Sequence, residues 1–175
     1  LTSAMTQNGN YVMETGKVYV IKQPLNINFW SEQQQGYTLR VCATGVSLTN
    51  LKIKQNSTLI ISSGASVSFN NFFWESTGTF KNFGTVSGSA NMEVKGTFVN
   101  QGTMNLSNTS FTVAANSTFT NTNALTVSNF TTYSPWANSG TINTSGFTVE
   151  GTSAPGTNTG TLNLTSNFKT NSPLA

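Results

Sequence analysis

The sequence predicts an all-β protein, a parallel β-helix built as a three-sided solenoid of about 17–21 residues per coil with an irregular N-terminal cap. Three observations carry this prediction. The chain contains a repeat with a period near twenty residues, each repeat holds three short apolar runs, and no segment shows the periodicity of a helix.

The repeat is marked by an asparagine that is followed two residues later by a small residue, then by a polar and an apolar one. Its five copies begin at Asn82, Asn100, Asn121, Asn138 and Asn158. The asparagines are 18, 21, 17 and 20 residues apart, and this variable period is typical of stacked coils rather than of hairpins. Because an amide both donates and accepts, we expect inward-facing asparagines to form a structural ladder from coil to coil. Asparagine also tolerates left-handed backbone angles, which predicts a corner at this position.

Each repeat contains three short runs in which apolar residues alternate with Thr, Ser or Asn. The first run places a large residue two positions before the asparagine: Phe80, Phe98, Phe119 and Trp136, with Gly156 in the last copy. The second run begins four residues after the asparagine, and the third begins nine to eleven residues after it. Alternation with a period of two indicates strands with one buried face. Three such strands per coil would stack on their equivalents ~4.8 Å away in parallel sheets.

The chain divides into three parts. Residues 1–45 are irregular, and we interpret them as a capping region that hides the edge and the apolar top of the first coil. Residues 46–170 carry the coils. Residues 171–175 form a tail that we expect to continue into a longer chain, because no distinct closing cap follows the last repeat.

Charged residues are scarce, at 7% of the chain against ~25% in ordinary globular domains. The net charge of +3 comes from dispersed lysines and one arginine, so no nucleic-acid partner is predicted. No run approaches the ~18 apolar residues of a membrane span. Abundant Thr, Ser, Asn and Gly at low charge is typical of secreted, surface-exposed β proteins, and we expect an extracellular or cell-surface location.

The ionisable residues do not predict an active site. The chain has no His and no Asp, so a Ser–His triad and a clustered calcium site are both excluded. A single cysteine, Cys42, excludes an intrachain disulfide and a Cys-based zinc site, and we interpret it as a small hydrophobe in or near the core. Glu93 and Glu150 are expected in the outward middle of the third run, three coils or ~14 Å apart, too far for glycoside hydrolysis. The prediction is a non-enzymatic segment without a cofactor or metal.

Outward-facing aromatic residues provide a candidate binding surface. Phe73 stands between two apolar neighbours, and Phe83 replaces the polar residue found between Asn and the small residue in the other copies. We expect these two residues to form an outward pair a coil apart that contacts a sugar or a partner chain. Trp30 and Tyr133 are further candidates in predicted loops. The alternative is that a loop or the remainder of the protein covers the phenylalanines, since single exposed hydrophobes are ordinary.

The outward positions of the run that follows each asparagine form an array of hydroxyl and amide groups that resembles the faces of ice-binding solenoids. The threonines of this candidate face are Thr85, Thr103, Thr126, Thr141 and Thr161. Ala124 interrupts the array, and threonine ladders are also favourable in β-structure generally. Both interpretations stay open.

A resemblance to a family rests on residues 36–51, which read Gly-Tyr-Thr-Leu-Arg-Val-Cys-Ala-Thr-Gly-Val-Ser-Leu-Thr-Asn-Leu, and on the repeated Asn-x-Gly-Thr-apolar units that follow. In these features residues 36–170 resemble the β-helical repeat regions of adhesin-like surface proteins of Bacteroidota. The resemblance implies a cargo of type IX secretion, whose members carry a C-terminal sorting domain. No sorting domain is visible in these residues.

Together these observations predict a non-enzymatic secreted or cell-surface β-helix that acts in adhesion or as a rigid spacer. The expected partners are a surface glycan, another cell-surface component or other protein chains of a surface assembly. One alternative is an ice-binding solenoid. Another is a non-catalytic fragment of a polysaccharide-active β-helix enzyme whose catalytic coils lie outside these residues.

Overall fold

The computed structural model describes residues 11–29, 33–75, 77–150 and 156–171. The regular elements in these residues are all strands, and the strands pair in parallel. The predicted parallel β-helix is therefore confirmed. Burial alternates along the strands, as in Thr97–Asn100, because side chains at every second position point into the solenoid.

Two long sheets and one short sheet form the walls, with strands numbered in chain order. The first sheet contains β1 (Val18–Ile21), β3 (Thr38–Val41), β6 (Thr58–Ile61), β9 (Thr79–Asn82), β12 (Thr97–Asn100), β14 (Thr118–Asn121), β16 (Trp136–Asn138) and β18 (Gly156–Asn158). The second sheet contains β2 (Asn26–Asn28), β4 (Val46–Thr49), β7 (Ser66–Asn70), β10 (Thr85–Gly88), β13 (Thr103–Val113), β15 (Ala124–Thr132), β17 (Thr141–Val149) and β19 (Thr161–Thr170), with β11 (Met92–Val94) paired to β13. The third sheet contains β5 (Lys52–Ile53) and β8 (Phe73–Trp74).

Sheet pairing begins before residue 46. β1 pairs in register with β3, and β2 pairs in register with β4. The described residues of the predicted capping region therefore already supply strands to the first and second sheets. Both sheets run across residue 45, the predicted boundary, without a break. Residues 1–10 of the predicted cap and residues 172–175 of the predicted tail lie outside the described residues.

The three predicted runs are separate strands only in the earlier coils. From β13 onwards, the second and third runs of each coil join into one long strand. Register shifts between Leu106 and Ser110, and between Thr144 and Gly146, allow these strands to turn the corner. In the earlier coils the third wall is interrupted, because β8 pairs with β5 whereas β11 pairs with β13.

The core is built from stacked aromatic rings. One column contains the buried rings of Phe111, Phe130 and Phe147 and continues to the exposed ring of Phe168. Successive rings in this column lie within 12° of parallel, with centroids 5.5, 4.8 and 5.9 Å apart. Phe98 and Phe119 form a second parallel pair, 5.4 Å apart, on the first sheet. In-register pairing places equivalent residues above one another, so the sequence repeat itself produces the stacks.

The motif asparagines end strands of the first sheet and point into the solenoid. The buried members of this set are Asn82, Asn100, Asn121 and Asn138. Each of the four donates from Nδ2 to Oδ1 of the asparagine in the next coil, over 2.7–2.8 Å. The expectation that these asparagines adopt left-handed angles is wrong, because in-register pairing keeps their backbone extended. Left-handed angles occur instead at Asn50, Asn56, Asn71 and Asn116.

Four of the five motif copies have a glycine two residues after the ladder asparagine, and neighbouring coils approach each other closely there; the third copy has Asn123 instead. A Cβ atom added to Gly102 would lie 2.1 Å from the carbonyl oxygen of Gly84. One added to Gly160 would lie 2.1 Å from the carbonyl oxygen of Gly140. These neighbours are backbone atoms of the adjacent coil and cannot rotate away.

Candidate functional site

The aromatic residues of the predicted binding surface lie on different sides of the solenoid. Phe73 is 47% exposed on the third sheet, whereas Phe83 is 37% exposed at the corner after β9. Tyr133 is 49% exposed and follows β15. Trp30 lies outside the described residues. The prediction that Phe73 and Phe83 form a pair a coil apart is wrong. Phe73 pairs with Lys52 in the third sheet, whereas the backbone N–H of Phe83 donates to Ile61 of the first sheet.

Phe73 borders a groove of about 720 Å³ at the interruption of the third wall between β8 and β11. Ligand sites in proteins commonly enclose ~300–1,000 Å³. The groove brings an exposed ring together with amide, carboxylate and indole groups. The residues of this set are Asn71, Phe73, Trp74, Glu75, Asn91 and Glu93. Of these, only Phe73 belonged to the predicted binding surface.

The groove opens where a second ladder of asparagines ends. Nδ2 of Asn50 donates to Oδ1 of Asn28 at 2.8 Å, and Nδ2 of Asn71 donates to Oδ1 of Asn50 at 3.3 Å. In the next coil the connection between the second sheet and the third wall is one residue longer, Ser89–Asn91 instead of Asn71–Phe72. There Oδ1 of Asn91 accepts from the backbone N–H of Ser110 at 2.9 Å instead of continuing the ladder.

The carboxylates of the groove are paired with lysines. Glu75 accepts hydrogen bonds from Lys54 and, at 2.9 Å, from Lys52. The hydrogen bond from Lys54 and the nearby charge of Lys52 lower the pKa of Glu75. Glu93 accepts from Lys95 at 2.9 Å. The ammonium group of Lys52 also lies 5.9 Å from the centre of the Phe73 ring, in a cation–π contact.

Trp74, which also lines the groove, carries a buried polar group without a partner among the described residues. Its side chain is buried, and its indole Nε1 has no hydrogen-bond partner in the part of the chain that the structure describes. A buried N–H group without an acceptor costs ~1–3 kcal/mol. This donor would therefore gain from an acceptor supplied by a water or a ligand.

Glu93 and Glu150, the two glutamates considered above for glycoside hydrolysis, do not occupy equivalent positions. In register, the residue that corresponds to Glu93 three coils later is Thr148. Glu150 lies two residues further on, and its Oε2 accepts from Nδ2 of Asn171 at 2.7 Å. The expectation that both glutamates occupy the middle of the third run is therefore wrong for Glu150. The carboxylate that lines a groove with Glu93 is Glu75.

The threonines of the predicted ice-binding face lie on the outer surface of the second sheet. Thr85, Thr103, Thr141 and Thr161 share one column that Ala124 interrupts, and Thr126 lies in the next column. The first sheet carries an uninterrupted column that sequence reasoning missed: Thr38, Thr58, Thr79, Thr97 and Thr118. Its sequence signal is a threonine that opens each of these strands, immediately before a large inward residue.

Cys42 is exposed, with Sγ 3.4 Å from Oγ of Ser62. The interpretation of Cys42 as a residue in or near the core is wrong, because alternation along the chain turns Val41 and Ala43 inward instead.

Within residues 11–29, 33–75, 77–150 and 156–171, no three His, Cys, Asp or Glu residues lie close enough to hold a metal ion. Over the same residues no helix is long and apolar enough to cross a membrane.

Comparisons of the chain with protein-family models, with curated proteins and with solved structures find no match. The assignment of a function therefore rests on the two polar walls and on the groove beside Phe73.

Proposed function

We propose that this chain is a non-enzymatic β-solenoid of the cell surface or the extracellular space that acts in adhesion or as a rigid spacer, like the Bacteroidota surface proteins it resembles. The observation that carries the proposal is an outward column on the second sheet in which every residue is polar and uncharged. Its members are Asn26, Ser47, Ser68, Ser87, Asn105, Thr126, Asn143 and Asn163. Such a wall offers hydrogen-bond donors and acceptors along the whole stack.

A role as a spacer is supported by the continuity of the interior. The aromatic column and the asparagine ladder both run from coil to coil without a gap in the later coils. In a solenoid each coil contacts only its neighbours, so an uninterrupted core stiffens the whole rod.

The non-enzymatic part of the proposal is supported by the charges in the groove. A general acid in glycoside hydrolysis needs a raised pKa, whereas the lysines beside Glu75 lower its pKa. Incubation of the purified chain with neutral polysaccharides should release no new reducing ends. Product release that Glu93→Gln abolishes would overturn this part of the proposal.

Adhesion is tested by retention of the purified chain on a glycan array and on intact bacterial cells. We expect retention on a defined sugar or cell surface. A chain with charge introduced on the second sheet, Ser87→Lys with Asn105→Lys, is the matched variant, because both side chains are exposed. If the unaltered chain is retained on neither surface, adhesion is excluded and the spacer role remains.

Ice binding is the second candidate function, and the unbroken threonine column of the first sheet favours it. Regularly spaced hydroxyl and methyl groups on a flat sheet suit an ordered water surface. The neighbouring outward column contains Arg40 and Lys81, so the first wall is not uniformly uncharged. Thermal hysteresis of the purified chain is the test. Loss of hysteresis in Thr79→Tyr but not in Thr103→Tyr would place the ice-binding surface on the first sheet.

A further inference from the structure

We infer that the groove between β8 and β11 binds a neutral oligosaccharide, with the ring of Phe73 as the platform for one sugar unit. The inference rests on the proposed adhesive function and assigns to it a site and a ligand class. It does not require that the ligand be attached to a cell.

Phe73 is held in place as a platform. Its two chain neighbours, Phe72 and Trp74, are buried, and their rings pack edge to face with centroids 6.5 Å apart. Because these neighbours are buried in the core, the backbone that carries the exposed ring is anchored on both sides. The apolar C–H groups of a sugar would pack on the part of this ring that the Lys52 ammonium, 5.9 Å from its centre, leaves exposed.

The amides beside Phe73 offer complementary hydrogen-bonding groups. Asn71 uses Nδ2 to bond Asn50, so its Oδ1 is the remaining acceptor. Asn91 uses Oδ1 to accept from Ser110, so its Nδ2 is the remaining donor. A hydroxyl group both donates and accepts, and a ligand rich in hydroxyls can satisfy both amides.

The charges of the groove favour a neutral ligand over a charged one. Both carboxylates that line it are already paired, Glu75 with Lys52 and Lys54, and Glu93 with Lys95. An acidic sugar would have to share a lysine with a carboxylate that already neutralises its charge and that repels the sugar's own carboxylate. A neutral sugar can accept or donate hydrogen bonds at the paired groups without separating them.

The experiment is calorimetric titration of the purified chain with hexasaccharides of β-glucan, mannan, xylan and chitin, and with hexagalacturonate as the charged comparator. We expect at least one neutral hexasaccharide to bind. Phe73→Ala should weaken its binding at least tenfold, and Phe73→Tyr, which keeps the ring, should bind like the unaltered chain. Phe83→Ala is the matched control, because it removes another partly exposed ring that does not line the groove, and it should leave the affinity unchanged.

The inference is overturned if no neutral hexasaccharide binds, if hexagalacturonate binds most tightly, or if Phe73→Ala and Phe83→Ala have equal effects. Circular dichroism melting of each variant establishes that it is folded. Cell retention separates this inference from the proposed function. If the chain is retained on cells but binds no hexasaccharide, only the inference that the groove binds sugar is overturned. If a hexasaccharide binds in a Phe73-dependent way but the chain is retained on no cell or glycan surface, only the proposed adhesion is overturned.

Discussion

The side-chain amide of Asn100 donates a hydrogen bond to Oδ1 of Asn121 over 2.7 Å, and neither residue is exposed to solvent. The same nitrogen donates to the backbone carbonyl of Ala124 at 3.0 Å. Each rung therefore ties its coil to both a side chain and the backbone of the next coil. Since buried polar groups are costly when unpaired, the loss of a buried rung should destabilise the stack.

Replacement of Asn121 by alanine should lower the free energy of unfolding by about 3 kcal/mol, because it leaves a donor on Asn100 and an acceptor on Asn138 without their amide partner. Urea denaturation followed by circular dichroism measures the change. The matched control is Asn158→Ala, which removes an exposed rung and should cost less than about 1 kcal/mol. Equal losses in the two variants would show that burial of the ladder contributes nothing.

Gly102→Ala should be destabilising by about 1–3 kcal/mol or more, since the added methyl would lie 2.1 Å from a backbone oxygen of the neighbouring coil. Gly146→Ala provides the comparison, because its nearest neighbour is the movable side-chain oxygen of Asn129 at 2.9 Å. Thermal melting of the two variants should therefore give a clearly lower midpoint for Gly102→Ala. A similar midpoint in both would contradict the assigned close approach of the coils.

The fold could be predicted because parallel stacking places residues that are one sequence period apart at equivalent positions in successive coils. Phe98 and Phe119 lie 21 residues apart in the chain and stack face to face in the structure. Asn100 and Asn121 have the same spacing and meet through their amides. A pattern of this kind needs no long-range information beyond the period, since each coil packs on the next by the same rule.

The groove could not be predicted, because it depends on a coil whose connection differs in length from that of its neighbour. The connection Ser89–Asn91 is one residue longer than its counterpart Asn71–Phe72, and that difference ends one ladder and interrupts the third wall. The same limit explains the error on Phe73 and Phe83. Alternation correctly indicates that a side chain points outward. The wall on which that side chain lies depends on the positions of the corners, which alternation does not give.

Phe119→Ala should lower the free energy of unfolding by about 3–5 kcal/mol, because it opens a cavity in the aromatic stack between Phe98 and Phe130. Urea denaturation again reports the change. Phe83→Ala removes a ring that is 37% exposed and should lower stability by clearly less, about 1 kcal/mol. If the two substitutions are equally harmful, the aromatic stack is not the main source of core stability.

Glu75→Gln should destabilise the protein at neutral pH by no more than about 1 kcal/mol, because the ion pairs with Lys52 and Lys54 are partly exposed. The pKa of Glu75 is lowered in the folded state, so its contribution is present above the ordinary carboxyl pKa and is lost as the pH falls through the folded value. The difference between the unaltered chain and the variant should therefore shrink in acid, and it should also shrink at high salt.

Glu150→Gln is the matched control for this dependence, since its carboxylate accepts from the neutral amide of Asn171 and has no lysine partner among the described residues. Its effect on unfolding should not respond to salt in the same way. Denaturant titrations of both variants at neutral and acidic pH, each at low and high salt, supply the comparison. A Glu75→Gln deficit that persists in acid would show that packing of the side chain, and not its charge, stabilises the third wall.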